Sequence, residues 1–390
     1  LAPVIIYLTG FRQHAGKTFM SLGIISMLRK VMDPALIGYI KPVGQELVSL
    51  PDGAKIDKDA YLIQAFSRIP GIDLEAISPV RLGSGFTQNY LSSNDQLEET
   101  RRLEDKIRNS VKELEKKKVI IAEGSGHPGV GGIVGLSNAD VGNIIDADII
   151  FLSGGGIGKA LDMLEVDLSY FLYKKSRVRG IIFNKLFPKK IKTVSQFITE
   201  DLINKKYGAF GGPLRILGFM PQVDFLSKPS MLTLQDKLID SEALNDITNK
   251  SWKIPCGSIR VISVPYNSLK LDSYLKPRDL VILGASSKRK IRKIVEYSRE
   301  NLYTKRIGGI ILTCGRTDVL DQDLRNLIAS SGIPALYIQQ DTATAEETVL
   351  KIFENTKIQV FDSIKVKEIE RLFEEYFDFD KFLDTFKLKS

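Results

Sequence analysis

The sequence predicts an α/β protein: a parallel sheet with helices on both faces, followed by a second, smaller α/β domain. Three observations predict it. Short β-branched runs alternate with longer stretches of helical spacing, as buried parallel strands alternate with crossover helices. The alternation weakens after Met220-Pro221 and resumes near Arg260. A glycine-bearing turn, Gly10 to Lys17, joins the first strand to the first helix.

The elements follow in order. Val4-Ile5-Ile6-Tyr7-Leu8 is an apolar run expected to be the first strand. From Lys17 to Lys30 the spacing is helical, with Leu22, Ile25 and Leu28 on one face. Residues 36–40 are the next expected strand. A long amphipathic helix is expected over 93–118, with Ser93 and Gln96 as a capping box and Leu97, Leu103, Ile107, Val111 and Leu114 as its stripe. Strands at 119–122 and 149–152, a helix at 158–173, and strands at 180–183 and 214–218 complete the first series. The second has strands at 260–264, 280–284, 309–313 and 335–338, with helices at 288–302, 321–331, 344–355 and 366–377. A polar helix is expected at 233–245. The expected domains are 1–240 and 250–390.

Composition narrows the classes. The 390 residues are 43% hydrophobic and 26% charged, which excludes disordered, collagen-like and disulfide-scaffold chains. No apolar run approaches the roughly 18 residues of a membrane helix, so no membrane partner is expected. Two cysteines, Cys256 and Cys314, and two histidines, His14 and His127, are too few for the usual four-ligand zinc site. The cysteines are expected as buried thiols of a reducing cytosol. Leu1-Ala2-Pro3 leads into the first strand without a basic region or cleavage site, so a cytoplasmic location is expected. The net charge of +8 is spread over both halves. Its densest cluster, Lys288-Arg289-Lys290 with Arg292 and Lys293, reads as a solvated helix face or as an anion site. No aromatic-plus-basic motif points to nucleic acid.

The motif with the most chemistry is Thr9-Gly10-Phe11-Arg12-Gln13-His14-Ala15-Gly16-Lys17-Thr18. A turn between strand and helix aims backbone N–H groups at one spot, at the positive end of the helix, which suits phosphate. Gly10, Arg12, His14, Ala15 and Gly16 would line it. Lys17 would reach the β- and γ-phosphates, and Thr18 would ligate Mg²⁺. The spacing, Gly-x5-Gly-Lys-Thr, is one residue longer than usual. The fold expected around it is of the P-loop NTPase type, with ATP and Mg²⁺ as cofactors.

Other strand ends face the same edge. Lys41, in Lys41-Pro42-Val43, ends the second strand and joins Lys17 as a candidate catalytic cation. Glu123, in Glu123-Gly124-Ser125-Gly126-His127, is a candidate metal ligand. Asp59 is a second candidate ligand or an ordinary first-turn acid of a helix. Asn184 has the donor and acceptor to match an adenine edge. His127 is a general base, a substrate contact or plain loop polarity.

Together these pieces resemble the dethiobiotin synthetase family of P-loop proteins, over roughly residues 3–225. Thr9, Gly10, Gly16, Lys17, Thr18, Lys41, Asp59, Glu123 and Asn184 match that family's motifs. The whole chain is similar to phosphotransacetylase-family proteins, which resemble the N-terminal region of long phosphate acetyltransferases and pair such a domain with a DRTGG domain. Ile77-Ser78-Pro79-Val80, Gly309-Ile310-Ile311-Leu312-Thr313, Ile333-Pro334-Ala335-Leu336-Tyr337 with Asp341-Thr342, and Asp378-Phe379-Asp380-Lys381 carry that likeness. The DRTGG tetrad itself is absent: Gly284-Ala285-Ser286-Ser287 stands near its place. The chain ends where a catalytic acetyltransferase domain would start, so that activity is not implied. Phe11-Arg12-Gln13-His14-Ala15 replaces the acidic loop of true synthetases, which would serve a cationic diamine badly.

Three functions are therefore carried forward: a Mg-ATP-binding regulatory or sensor ATPase, an ATP-dependent ligase acting on a carboxylate or carbamate, and a nucleotide-binding protein without hydrolysis. The expected partners are nucleotide, a small acidic ligand and a second copy of the chain. In related partition-type ATPases a lysine at the position of Arg12 reaches the partner's nucleotide. Arg12 is thus such a finger, a surface arginine, or a contact to its own phosphates. Arg316, Asp318 and Asp341 lie after strands of the second domain, as ligand contacts or as loop polarity.

Overall fold

The computed structural model describes residues 2–50, 53–208, 212–300, 306–314 and 319–389. Arg316, Asp318 and the expected helix end at Leu302 lie outside the described residues. The chain forms two compact units. One is Leu1–Gln222 together with Val366–Ser390, the other Val223–Lys365.

The first unit is built on six parallel strands: β1 (Val4–Gly10), β2 (Ile37–Ile40), β3 (Val119–Glu123), β4 (Asp148–Gly154), β5 (Arg177–Leu186) and β6 (Arg215–Pro221). Their order is β6-β5-β4-β1-β3-β2. The strand that feeds the glycine turn therefore lies inside the sheet, between β4 and β3. Ile6, Leu8, Ile120, Ile121, Ile149, Ile150, Ile181 and Ile182 are fully buried, as strands covered on both faces require. This is the predicted P-loop NTPase-type α/β sheet.

Local chemistry moved some boundaries. The long helix runs Gln96–Glu113, and its N-cap is Asp95, whose carboxylate accepts from the Glu98 N–H at 2.9 Å. Ser93 instead accepts from the Asp95 N–H, so the expected Ser93/Gln96 capping box does not form. A true capping box sits at Ser137 and Asp140.

The tail differs more. The segment expected within a 250–390 domain returns to the first unit from Val366 onward. Its physical cause is aromatic. Phe373, Phe377, Phe382 and Phe386 are all buried and meet in series through tilted ring contacts. Phe373 packs on Phe19 and lies directly over Gly23 of helix Lys17–Leu28, where any Cβ would collide with the ring. The Asp378 N–H donates to the Leu217 carbonyl at 2.8 Å, which seals the tail to β6.

Among the described residues the second unit has five strands: β7 (Glu242–Ala243), β8 (Ile259–Val261), β9 (Leu280–Gly284), β10 (Gly309–Thr313) and β11 (Ala335–Tyr337). Their order is β7-β11-β10-β9-β8, parallel except for β7. The expected polar helix is shorter, Met231–Lys237, and β7 follows it. Helix Lys288–Glu300 buries Ile291, Ile294, Val295 and Ser298, which leaves its basic cluster on the outer face. Asp341 is an N-cap: its Oδ1 accepts from the N–H groups of Ala343 and Thr344, both at 3.0 Å. No described helix is long and apolar enough to cross a membrane.

Candidate functional site

The carboxyl ends of β1, β2, β3 and β5 bring the candidate residues to one edge of the sheet. The turn after β1 is tight. Gly16 has φ 99° and His14 φ 62°, both left-handed, before the helix opens at Lys17. Only glycine takes the Gly16 conformation without strain. A Cβ there would also strike the Asn184 side chain. The Asn184 amide donates to the Ala15 carbonyl at 2.8 Å and is buried. Asn184 thus braces the glycine turn from the end of β5, a role its sequence position did not announce.

Lys17 is buried, and its ammonium donates to the carbonyls of Arg12 (3.3 Å) and Gly126 (3.1 Å). Lys41, 3% exposed, donates to Asp59 Oδ2 at 2.8 Å, Glu123 Oε1 at 3.1 Å and the Gly124 carbonyl at 3.2 Å. Two ammonium groups, one from the start of helix Lys17–Leu28 and one from just after β2, therefore grip the same Glu123–Gly126 turn. The Lys41 backbone N–H donates to the Ile77 carbonyl at 2.7 Å, and Val43–Gly44 pairs with Val80–Arg81. Ile77-Ser78-Pro79-Val80 is thereby the brace of the lysine strand end.

Glu123 is fully buried and fully engaged. Oε1 accepts from Thr18 Oγ1 at 2.8 Å and from Lys41. Oε2 accepts from Ser21 Oγ at 2.8 Å and Tyr39 OH at 3.1 Å. Burial pushes its carboxyl pKa up, Lys41 pulls it down, and Asp59 adds to the rise. For Lys41, burial disfavours the ammonium, but Asp59, Glu123 and Asp57 outweigh it and hold its pKa well above the ordinary value. Asp57, rather than Asp59, caps helix Lys58–Phe66, which leaves the Asp59 carboxylate to meet Lys41.

Sequence reasoning missed Ser21, Tyr39, Ser125 and Asn138. Ser21 stands three residues after Thr18, on the same helix face, a spacing that could have found it. Asn138 knits the turn: its Oδ1 accepts from Tyr7 OH (2.8 Å) and the Ser125 N–H, and its Nδ2 donates to the Ser125 and His127 carbonyls. Arg12 and His14 are exposed on the turn, with the Arg12 guanidinium 5.0 Å from the Phe11 ring centroid. His127 is exposed and accepts from the Gly129 N–H at 3.2 Å. Lys185 follows Asn184 in a left-handed conformation. Desolvation and the nearby Arg12 charge lower its pKa.

Thr18, Asp59 and Glu123 offer a hydroxyl and two carboxylates, hard oxygen donors of the kind Mg²⁺ takes. Among the described residues no three His, Cys, Asp or Glu side chains are placed to hold a metal by themselves. Mg²⁺ usually completes its shell with water and phosphate oxygens, so this set fits a shared site with nucleotide. A separate cleft of about 590 Å³ lies where β4, β5 and β6 begin, lined by Asp148, Arg179, Arg215 and Lys387 among others.

The model of an AAA domain, the AAA_26 family, matches residues 5–230. The chain belongs to this AAA domain family. The match spans the glycine turn, Lys41, Asp59, Glu123 and Asn184, and the class of the first unit is that of a P-loop nucleotide-binding domain. No curated protein matches the chain. Among solved structures, the MinC:MinD cell division complex of Aquifex aeolicus matches at 12% identity, over 57% of this chain and 84% of that one, with a TM-score of 0.36. The CBS and DRTGG domains of the regulatory region of Clostridium perfringens pyrophosphatase, complexed with diadenosine tetraphosphate, match at 16% identity over 48% of this chain and 69% of that one, with a TM-score of 0.27. At those scores neither likeness bears on what this AAA_26 chain does.

Proposed function

We propose that this AAA_26 domain binds Mg-ATP at the β1–β3 edge and that the chain is a regulatory or sensor ATPase of the reducing cytoplasm. One observation carries the reading: Lys17 and Lys41 both reach the Glu123–Gly126 turn, beside Thr18. Two ammonium groups there would neutralise a γ-phosphate, and the N–H groups of the Gly10–Lys17 turn would hold the β-phosphate. Mg²⁺ would be shared among Thr18, Asp59, Glu123 and the phosphates, and would supply charge neutralisation. The regulatory role follows the resemblance to the N-terminal region of long phosphate acetyltransferases.

A second reading is an ATP-dependent ligase. The buried second lysine favours it, since Lys41 would stabilise a phosphoryl group in flight. The exposed Arg12 and His14 would then meet a small acidic substrate. In a dimer of the chain Arg12 would instead reach the partner's nucleotide.

Mg-ATP turnover separates the readings. ADP release unaffected by any of a panel of small carboxylates and amines supports the sensor, whereas stimulation by one compound supports the ligase. Lys17→Ala should lower nucleotide affinity at least tenfold. Equal affinity in that variant would refute the site. Solution mass with and without ATP, for wild type and Arg12→Ala, tests the dimer.

A further inference from the structure

We propose that Lys41 is the resident cation of this site, so that the metal enters only together with nucleotide. This rests on the nucleotide-binding reading above and specifies its loading. The oxygens that would ligate Mg²⁺ already face an ammonium. Lys41 Nζ lies 2.8 Å from Asp59 Oδ2 and 3.1 Å from Glu123 Oε1. The Thr18 hydroxyl donates to that same Oε1 at 2.8 Å. A divalent ion drawn to within about 2.0–2.1 Å of these oxygens would sit beside the buried ammonium, so the two cations repel each other and compete for the same carboxylate charge.

Removal of Lys41 from the carboxylates is costly unless it gains another anion, since it is 3% exposed. The metal in turn lacks a third acidic ligand among the described residues. Nucleotide phosphate meets both needs. It would offer Lys41 a new anionic partner and the metal its missing oxygens. The Lys41 backbone is fixed by its bond to Ile77 and by the Val43–Gly44 pairing, so the exchange is a swing of the four-carbon side chain alone. The other groups around the ammonium are Asp57, beside Asp59, and Tyr39, bonded to Glu123. The other ammonium on this turn, that of Lys17, donates to the carbonyls of Arg12 and Gly126.

The probe is Mn²⁺ alone, titrated into the full chain and followed by the EPR signal of the free ion. Wild type should show no saturable binding below millimolar Mn²⁺ without nucleotide, and one site with a non-hydrolysable ATP analogue. Lys41→Met should bind one Mn²⁺ without nucleotide at least tenfold more tightly than wild type does, and Mn²⁺ should raise its melting temperature. Lys41→Met/Glu123→Gln should lose that gain. If Lys41→Met melts below the assay temperature, Lys41→Gln, which keeps a donor for Asp59, takes its place. Nucleotide-free Mn²⁺ binding by wild type as tight as by either variant would overturn the proposal, as would a folded variant with no gain. A fluorescent ATP analogue, measured without metal, keeps the two readings apart. If wild type binds the analogue but Mn²⁺ shows no such exchange, only the resident-cation proposal fails. If wild type binds no analogue at all, the nucleotide reading itself fails.

Discussion

The Thr18 hydroxyl donates to Glu123 Oε1 at 2.8 Å, although 105 residues separate the two in the chain. The bond joins the first turn of helix Lys17–Leu28 to the end of β3. It exists because β1, which feeds the helix, pairs in parallel with β3, with Leu8 opposite Glu123.

That arrangement makes Glu123 the acceptor for four donors: Thr18, Ser21, Tyr39 and Lys41. Glu123→Gln keeps the shape but supplies one acceptor oxygen and no charge. The hydroxyls can turn to accept from the new amide, whereas the Lys41 ammonium cannot. Loss of a buried ion-pair partner costs about 3–5 kcal/mol, and the low end is expected because Asp59 remains. Denaturant unfolding of the first unit should show the loss. Stability within about 0.5 kcal/mol of wild type would mean that Glu123 is not charged in the free protein.

Asn184 gives a prediction about the turn itself. Its amide holds the Ala15 carbonyl and fills the space over Gly16. Asn184→Ala should cost about 1–3 kcal/mol, the usual range for an orphaned buried acceptor. It should also weaken nucleotide binding through a loosened loop, with no contact to the base required. Gly16→Ala should be worse, because it meets both the Asn184 amide and a φ of 99°. The double variant restores the space but not the backbone, so its nucleotide affinity should stay below that of Asn184→Ala. Full recovery in the double variant would show that only the steric contact matters.

The sequence made the sheet edge legible because each candidate ends a strand whose apolar run is plain: Thr9-Gly10, Lys41, Glu123 and Asn184. The partners of those residues were harder to see. Tyr39 lies inside an apolar run and reads as core until the fold brings its hydroxyl to Glu123. Asn138 looks like an ordinary helix start beside Ser137, and only the turn after β3 reveals what its amide holds. The tail was misassigned for a related reason. Periodicity shows that helix Ser363–Tyr376 has an apolar face, yet says nothing about which sheet that face covers.

Phe373 tests that tail. Its ring fills the notch left by Gly23 and packs on Phe19 and Phe377. Phe373→Ala should destabilise the first unit by about 3–5 kcal/mol, the range for truncation of a buried aromatic side chain. Helix Lys17–Leu28 carries Lys17 and Thr18, so nucleotide affinity should fall with it. A loss of stability in the second unit alone, read by hydrogen exchange, would contradict the placement of Val366–Ser390.

Asp167 supplies the pH dependence. It lies on helix Ile157–Tyr173, where burial alone raises its carboxyl pKa to about 7. The unfolded chain would release that proton near the ordinary aspartate value, about 3.9. Between those two values the folded state holds more protons than the unfolded state, so stability falls as pH rises through the window. Below it the group is neutral in both states and costs nothing. Asp167→Asn imitates the neutral form at every pH. Its melting temperature should match wild type near pH 4, exceed it increasingly up to about pH 7, and keep a constant lead above that. Wild type and variant melting curves that run parallel from pH 4 to 8 would show that Asp167 is solvated in the folded protein.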